Sequence, residues 1–345
     1  MSSIRDIAQA AGVSISTVSK ALNNQGHISA ATRRRIHEAA ERLNYSPNSF
    51  ARGLASKVSD NIGFVIDRAP GHIFSNPFYS VILEGIESEL VKHGFNLLIS
   101  AHASTAPDAS LPNFVRTGTV GGLIIAGNVA PSLLQRFREN DLPVVVVDNR
   151  LEDKSFDTIN SDNFQGAQEM MNYLIALGHA QIGFLLGANR HPNMEARYQA
   201  FRQSMRQHQL PIKTEWISRG DVTKDGGYEA MQRLLQRGKL PTAIFASNDV
   251  MALGAIKLLH ESGLRVPQKI SVVGFDDILP AEYSTPPLTT VEVDKIRMGQ
   301  LAAERLIKIM KGQDRAVCEI IVPTKLIVRE SSSPPAAPKA RRDKF

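Results

Sequence analysis

The sequence predicts an all-α head followed by a two-lobed α/β body, each lobe built on a doubly wound parallel sheet. Three observations carry that expectation. Apolar residues recur at helical spacing through residues 1–45. From Ile62 onward, short apolar runs alternate with helical stretches, the texture of parallel strands covered on both faces. The net charge of +6 is also unevenly placed along the 345 residues. Residues 1–60 hold eight Lys/Arg against four Asp/Glu, and residues 331–345 hold four against one. The central body is therefore close to neutral. A compact basic head is an electrostatic footprint for nucleic acid, although a solvated basic face gives the same count.

The head, residues 1–46, divides into three apolar stripes: Ile4, Ile7, Ala8 and Ala11; Ile15, Val18, Ala21 and Leu22; Ile36, Ala39, Ala40 and Leu43. Gly12 permits a tight turn after the first, and Ser14 and Ser29 precede the second and third as N-caps. Pro47 ends this pattern, leaving residues 47–60 as a weakly helical linker too short to hold a helix alone. In the body, 61–330, the strand candidates are 62–66, 95–100, 122–127, 144–148, 181–187, 242–247, 270–275, 289–293 and 320–328. Helices are expected at 79–93, 164–177, 195–208 and 249–262, with 155–162 as a long connection between the lobes. The chain weaves between them, giving one lobe 61–160 and 292–322 and the other 161–291 and 323–330. Ligands of such folds gather beyond the C-terminal ends of strands. The Pro/Ser/Lys-rich residues 331–345 are expected to be disordered.

Composition narrows the function classes. One cysteine, Cys318, excludes an intrachain disulfide and a cysteine-rich metal site, and fits a reducing cytoplasm. The N-terminus lacks the apolar core of a secretory signal, and no window approaches the roughly 18 apolar residues of a membrane span. A phosphate-binding GxxxxGK[ST] loop and an HExxH motif are both missing, and the glycine of "LLGAN" is an isolated echo of dinucleotide sites. The expectation is a cytoplasmic binding protein, not an enzyme, with no cofactor and no metal.

"IRDIAQAAGVSISTVSKALN" (4–23) and "ISAATRRRIHEAAERLNYSPNSFARGLAS" (28–56) resemble the helix-turn-helix, third helix and hinge of the lactose-repressor/galactose-repressor family of bacterial transcription regulators. "NPFY" (76–79), "LGHAQIGFL" (177–185), "SNDVMALGA" (247–255), "ISVVGFDD" (270–277) and "PPLTTV" (286–291) extend the resemblance over residues 4–330 in family order. It implies a periplasmic-binding-protein-like body acting as a sensor. It also implies a homodimeric repressor that binds a near-palindromic operator and responds to a small effector, most simply a sugar. On this reading Ile15, Ser16 and Lys20 meet bases in the major groove, while Ser14, Thr17, Asn23 and Arg33 position the head on phosphates. Thr17 has an equal claim as a turn residue. Leu54, with Arg52 before it, occupies the place of the family's minor-groove wedge.

For the effector, the resemblance points to Arg197. Asp148, Asn248 and Asp276 follow strands, and Phe78 is placed to lie on a sugar ring. Structural bonding is the alternative for Asp148 and Asp276, and capping is preferred for Asp249 and Asp277. The chain departs from the family pattern in its loop before "NPFY", which carries Arg68 and His72, and in a shortened 102–120 segment. Val222 replaces an aromatic common in relatives, which argues against a purine and favours a sugar. The alternatives are a periplasmic-type sugar-binding protein and a regulator responding to a nucleoside or purine.

Overall fold

The computed structural model describes residues 3–22, 26–45, 59–67, 76–102, 111–127, 130–151, 154–187, 191–314 and 316–336. It divides into two units, 1–60 and 61–345.

The head consists of α1 (Ile4–Ala11), α2 (Ile15–Leu22) and α3 (Ala30–Arg42). Each begins at a serine whose hydroxyl satisfies an otherwise orphaned amide of the first turn. Ser14 accepts from Thr17 N at 3.1 Å and Ser29 from Thr32 N at 3.2 Å, the two caps expected. Ser3 adds a third, and Asp6 completes a capping box by accepting from Ser3 N at 2.7 Å. Gly12 ends α1 at φ +64°, and its N–H meets the carbonyls of Ala8 and Gln9. The three stripes converge on a core of Ile7, Ala8, Ala11, Val18, Ala21, Ile36, Ala39 and Ala40. Five of these eight are alanine, so short helices approach closely at little side-chain entropy cost.

In the body, the first sheet contains β1 (Asn61–Asp67), β2 (Asn96–His102), β3 (Gly122–Ala126), β4 (Val144–Val147), β5 (Asp157–Ser161) and β11 (Glu319–Val322). Their spatial order is β11-β5-β4-β3-β1-β2, all parallel. Helices α4 (Tyr79–Lys92), α5 (Asn113–Arg116), α6 (Pro131–Glu139) and α12 (Lys295–Met310) accompany this lobe. Helices α4 and α12 touch through Gly85, where a β-carbon would lie 2.2 Å from the Ile296 carbonyl oxygen. The second sheet contains β6 (Ile182–Gly187), β7 (Ile217–Gly220), β8 (Ala243–Ala246) and β9 (Ser271–Val273), parallel and ordered β7-β6-β8-β9. With it run α7 (Asn163–Ala176), α8 (Pro192–Gln207), α9 (Lys224–Gln236), α10 (Asp249–Glu261) and α11 (Leu279–Glu282). An antiparallel ribbon pairs β10 (Thr290–Val293) with β12 (Thr324–Ile327).

Three expectations need correction. Residues 155–162 are not merely a connection: β5 lies inside the first sheet between β4 and β11. Its sequence, DTINS, has a single large apolar residue, and its polar residues are buried rather than facing water, Asp157 against Arg305 and the Asn160 amide against the Asn149 carbonyl. The run 320–328 is two strands, broken at Pro323, which cannot donate to a ladder and marks the passage from the first lobe to the ribbon. Disorder from Ser331 does not hold for the first serines of the tail. Ser331 is buried: its Oγ donates to Val272 O at 2.5 Å and its carbonyl accepts from Val272 N at 2.9 Å. The Ser333 carbonyl lies 2.9 Å from His179 Nε2. The serines thus extend the edge of the second sheet, trading local polarity for ladder-like bonds. Among the described residues no helix is long and apolar enough to cross a membrane.

Candidate functional site

The head presents an exposed face at the start of α2. Ile15 is 45% exposed, and Ser16 and Lys20 are exposed beside it on the same helix. An exposed β-branched residue contributes nothing to the head's core, but it suits contact with a thymine methyl. The hydroxyls of Ser14 and Thr17 lie 2.8 Å apart and close the cap of α2, so Ser14 has the capping role expected of it and Thr17 has the structural role it was weighed for. Arg33 is half-buried and donates to Ala21 O at 3.4 Å in the last turn of α2, whereas Arg34 and Arg35 are exposed. Asn23, Arg52 and Leu54 lie outside the described residues, as do Arg68 and His72.

The body brings most of the remaining candidates together beyond the C-terminal ends of its strands. Asp148 follows β4 in a left-handed conformation, φ 58°, that costs a non-glycine residue of order 1–3 kcal/mol. Its Oδ2 accepts from the Tyr79 hydroxyl at 2.8 Å, and its Oδ1 accepts from Asn193 Nδ2 at 2.7 Å across the lobes. Arg197, on α8, is 1% exposed. Its Nε donates to Asn163 Oδ1 at 2.8 Å and its Nη1 to Ser247 O at 2.6 Å. Nη2 stands 3.0 Å from Asp276 Oδ1, and the guanidinium carbon lies 3.7 Å from the centroid of the Phe275 ring. A planar, always-charged fork can satisfy this many directions at once; a lysine could not.

Asp276 follows β9 at φ 112°, and Asp277 continues at φ 50°. This turn is held from beneath by Lys295, which sequence reasoning missed. Its buried ammonium donates to the carbonyls of Asp276 (2.5 Å), Val293 (3.0 Å) and Asp277 (3.1 Å). Neither Asp249 nor Asp277 caps its own helix. Asp249 accepts from Thr290 Oγ1 at 2.5 Å and from Ile278 N at 2.9 Å, while Asp277 pairs with Arg329 at 2.7 Å. Asn248 is the N-cap of α10, accepting from Met251 N at 2.9 Å and donating to Val222 O at 3.3 Å. Phe78 is buried in the core, edge-on to Tyr79, so the polar contact of that loop belongs to its neighbour.

Burial sets the charge states. It pushes Asp148 up to about 6 against the opposing pull of Arg197 and two hydrogen bonds. It pushes Asp276 to about 6 as well, against Arg197 and Lys295. His191, the N-cap of α8, is driven down to about 4 by burial, and the Arg197 charge acts in the same direction. Its Nδ1 accepts from Asn193 N at 3.2 Å, so the neutral ring carries its proton on Nε2. That buried Nε2 has no hydrogen-bond partner among the described residues and lies 3.9 Å from Asp148 Oδ2. At the end of β5, Asn160 Oδ1 and Ser161 Oγ are likewise buried without partners. A buried unpaired polar atom costs about 1–3 kcal/mol, so these atoms hold open hydrogen-bonding capacity beside the cleft. No group of His, Cys, Asp and Glu among the described residues is arranged to hold a metal ion.

Comparison with known proteins places the head and the body in known families. Residues 3–48 match the bacterial regulatory proteins of the lacI family, and residues 171–332 match a periplasmic binding protein-like domain. The chain is 33% identical to the probable HTH-type transcriptional repressor ExuR of Bacillus subtilis (strain 168), over 96% of this chain and 98% of that one. The solved Lac repressor dimer bound to operator and the anti-inducer ONPF is similar at a TM-score of 0.82 and 30% identity, covering 96% of this chain and 99% of the other. The complex of the transcriptional regulator CelR with cellobiose follows at 0.75 and 29%, covering 96% and 100%. Likeness at this level, spanning head and body alike, shows that the chain belongs to the lacI family of bacterial regulatory proteins: it is a ligand-controlled, DNA-binding transcriptional repressor.

Proposed function

We propose that the effector is a neutral carbohydrate bound between the lobes, in contact with Asp148, Arg197 and Asp276. The observation that carries this reading is the mixture of bonding capacities in the cleft. Two carboxylates accept, and the imidazole N–H of His191 stands open as a donor beside Asp148. Sugar hydroxyls donate and accept together, so one ring can pair with both kinds of group. The similar transcriptional regulator CelR is known in complex with the sugar cellobiose. Asn248 and Phe78 support the cleft from its wall, as cap and packed ring.

On the DNA side, Ile15, Ser16 and Lys20 select bases, and Ser14, Thr17, Asn23 and Arg33 meet phosphates with help from Arg34 and Arg35. Leu54 and Arg52 enter the minor groove. A homodimer supplies two heads, because a single helix-turn-helix covers too little DNA for tight specific binding. The protein acts in the cytoplasm, and its body binds its ligand without transforming it. The ligand moves the operator equilibrium only through different affinities for the lobes' two arrangements.

A thermal-shift screen of neutral sugars, sugar phosphates and purine bases tests the reading. A neutral sugar is expected to raise the melting temperature of the full chain. Stabilisation by a purine base alone would overturn it.

A further inference from the structure

The second lobe carries another cavity, of about 420 Å³, at the open edge of its sheet. Strand β7 forms that edge, and carbonyls on it and just before it are bonded by Arg233, on α9, and by Arg237, the C-cap of that helix. Arg237 Nη1 donates to Glu215 O at 3.1 Å and to Ile217 O at 2.9 Å, and Arg233 Nη2 donates to Arg219 O. These bonds block the edge from pairing with another strand and also fix two guanidinium groups beside the cavity. Exposed on β7, Arg219 adds a third, and its side chain makes no hydrogen bond or ion pair among the described residues. Of the three cations only Arg233 faces a carboxylate among the described residues, Glu229 at 3.7 Å. Ser218 lines the same cavity; it is 3% exposed, and its Oγ has no hydrogen-bond partner among the described residues.

We propose that this cavity is a second ligand site, for a phosphate monoester of a small metabolite, separate from the sugar cleft. Guanidinium groups match phosphate oxygens in bidentate geometry, and two here are already oriented, so less side-chain freedom is lost on binding. The volume falls in the range of small-molecule pockets, roughly 300–1,000 Å³, and exceeds what a bare ion fills. Tyr198 and Ile217 supply an apolar wall for the remainder of the ligand.

Trp216, the chain's single tryptophan, makes the test direct. It is 2% exposed, two residues from Ser218, and its indole N–H donates to Lys239 O at 2.7 Å. The full chain is titrated with inorganic phosphate, glucose 6-phosphate and glucose, reading Trp216 fluorescence and, in parallel, heat by calorimetry. Saturable binding of glucose 6-phosphate is expected, tighter than that of inorganic phosphate. Arg219→Ala, at an exposed position that the fold does not need, is expected to weaken it roughly ten- to hundredfold, the worth of a charged hydrogen bond. Arg219→Lys should fall between. Absence of saturable binding at millimolar concentration by either readout would overturn the proposal, as would equal affinity in Arg219→Ala, which would put the ester elsewhere.

Discussion

The reading face of the head and the cleft of the body are both polar, yet they are built in opposite ways. On α2 the groups assigned to bases stand exposed, and the packing beneath them is alanine-rich and apolar. In the cleft the groups assigned to the ligand are almost wholly buried, Arg197 paired with Asp276 and Asp148 bonded to Asn193. An exposed face meets its partner with little reorganisation and is governed by salt, because phosphate contacts release counterions. A buried network has already lost its water, so it is governed by proton occupancy and by whichever hydrogen bonds the ligand completes. The two regions should therefore fail under different insults.

Arg197→Ala should have the largest effect. It leaves the buried Asp276 carboxylate without the guanidinium that pairs with it, a loss of about 3–5 kcal/mol measured by denaturant unfolding of the body, together with loss of the ligand response. A stable variant that still responds would place the ligand elsewhere. Ile15→Ala should change operator affinity by roughly 1–3 kcal/mol at the base it contacts and leave the melting temperature unaltered. An equal loss on every operator sequence would make Ile15 a general contact. Operator binding as a whole should weaken steeply with salt, and a flat dependence would contradict a phosphate-dominated face.

The cleft's pH signature is smaller. Asp148 is raised from 3.8 to about 6 in the folded chain. Between those values the folded state holds more protons than the unfolded one, so this group's contribution to stability falls as pH rises and levels off above about 6. Asp276 acts in the same sense. His191, lowered from 6.5 to about 4, acts in the opposite sense over an overlapping window. The melting-temperature advantage of Asp148→Asn over the parent should thus grow from pH 4 to 6 and stay constant beyond. A difference independent of pH would mean that Asp148 is not buried as a charge. Smallest is Ser3→Ala, expected to cost the head about 1 kcal/mol through loss of its capping box, visible in thermal unfolding of the head.

Much of this contrast was legible in the sequence because periodicity reports burial of apolar side chains. The three head stripes and the apolar strands of both sheets follow directly from it. Strand β5 was not legible, since four of its five residues are polar and yet buried, with Asp157 and Asn160 bonded to the distant Arg305 and Asn149. The same holds for the tail serines and for Lys295, whose three carbonyl partners come together only in the fold. In the cleft, position after a strand singled out Asp148, Asn248 and Asp276, but it did not separate the cap Asn248 from the two carboxylates. Tyr79, His191 and Asn193 carried a weaker signal, flanking Phe78 and opening the Arg197 helix, and could have been sought there.

The most direct test of the central claim is operator affinity measured by fluorescence anisotropy, with and without the sugar that stabilises the body, in the parent chain and in Arg197→Ala. The account predicts a change of roughly 5- to 150-fold in the parent, the range of typical allosteric couplings, and none in the variant. A stabilising sugar that leaves the parent's operator affinity unchanged, or a response that survives in Arg197→Ala, would contradict it.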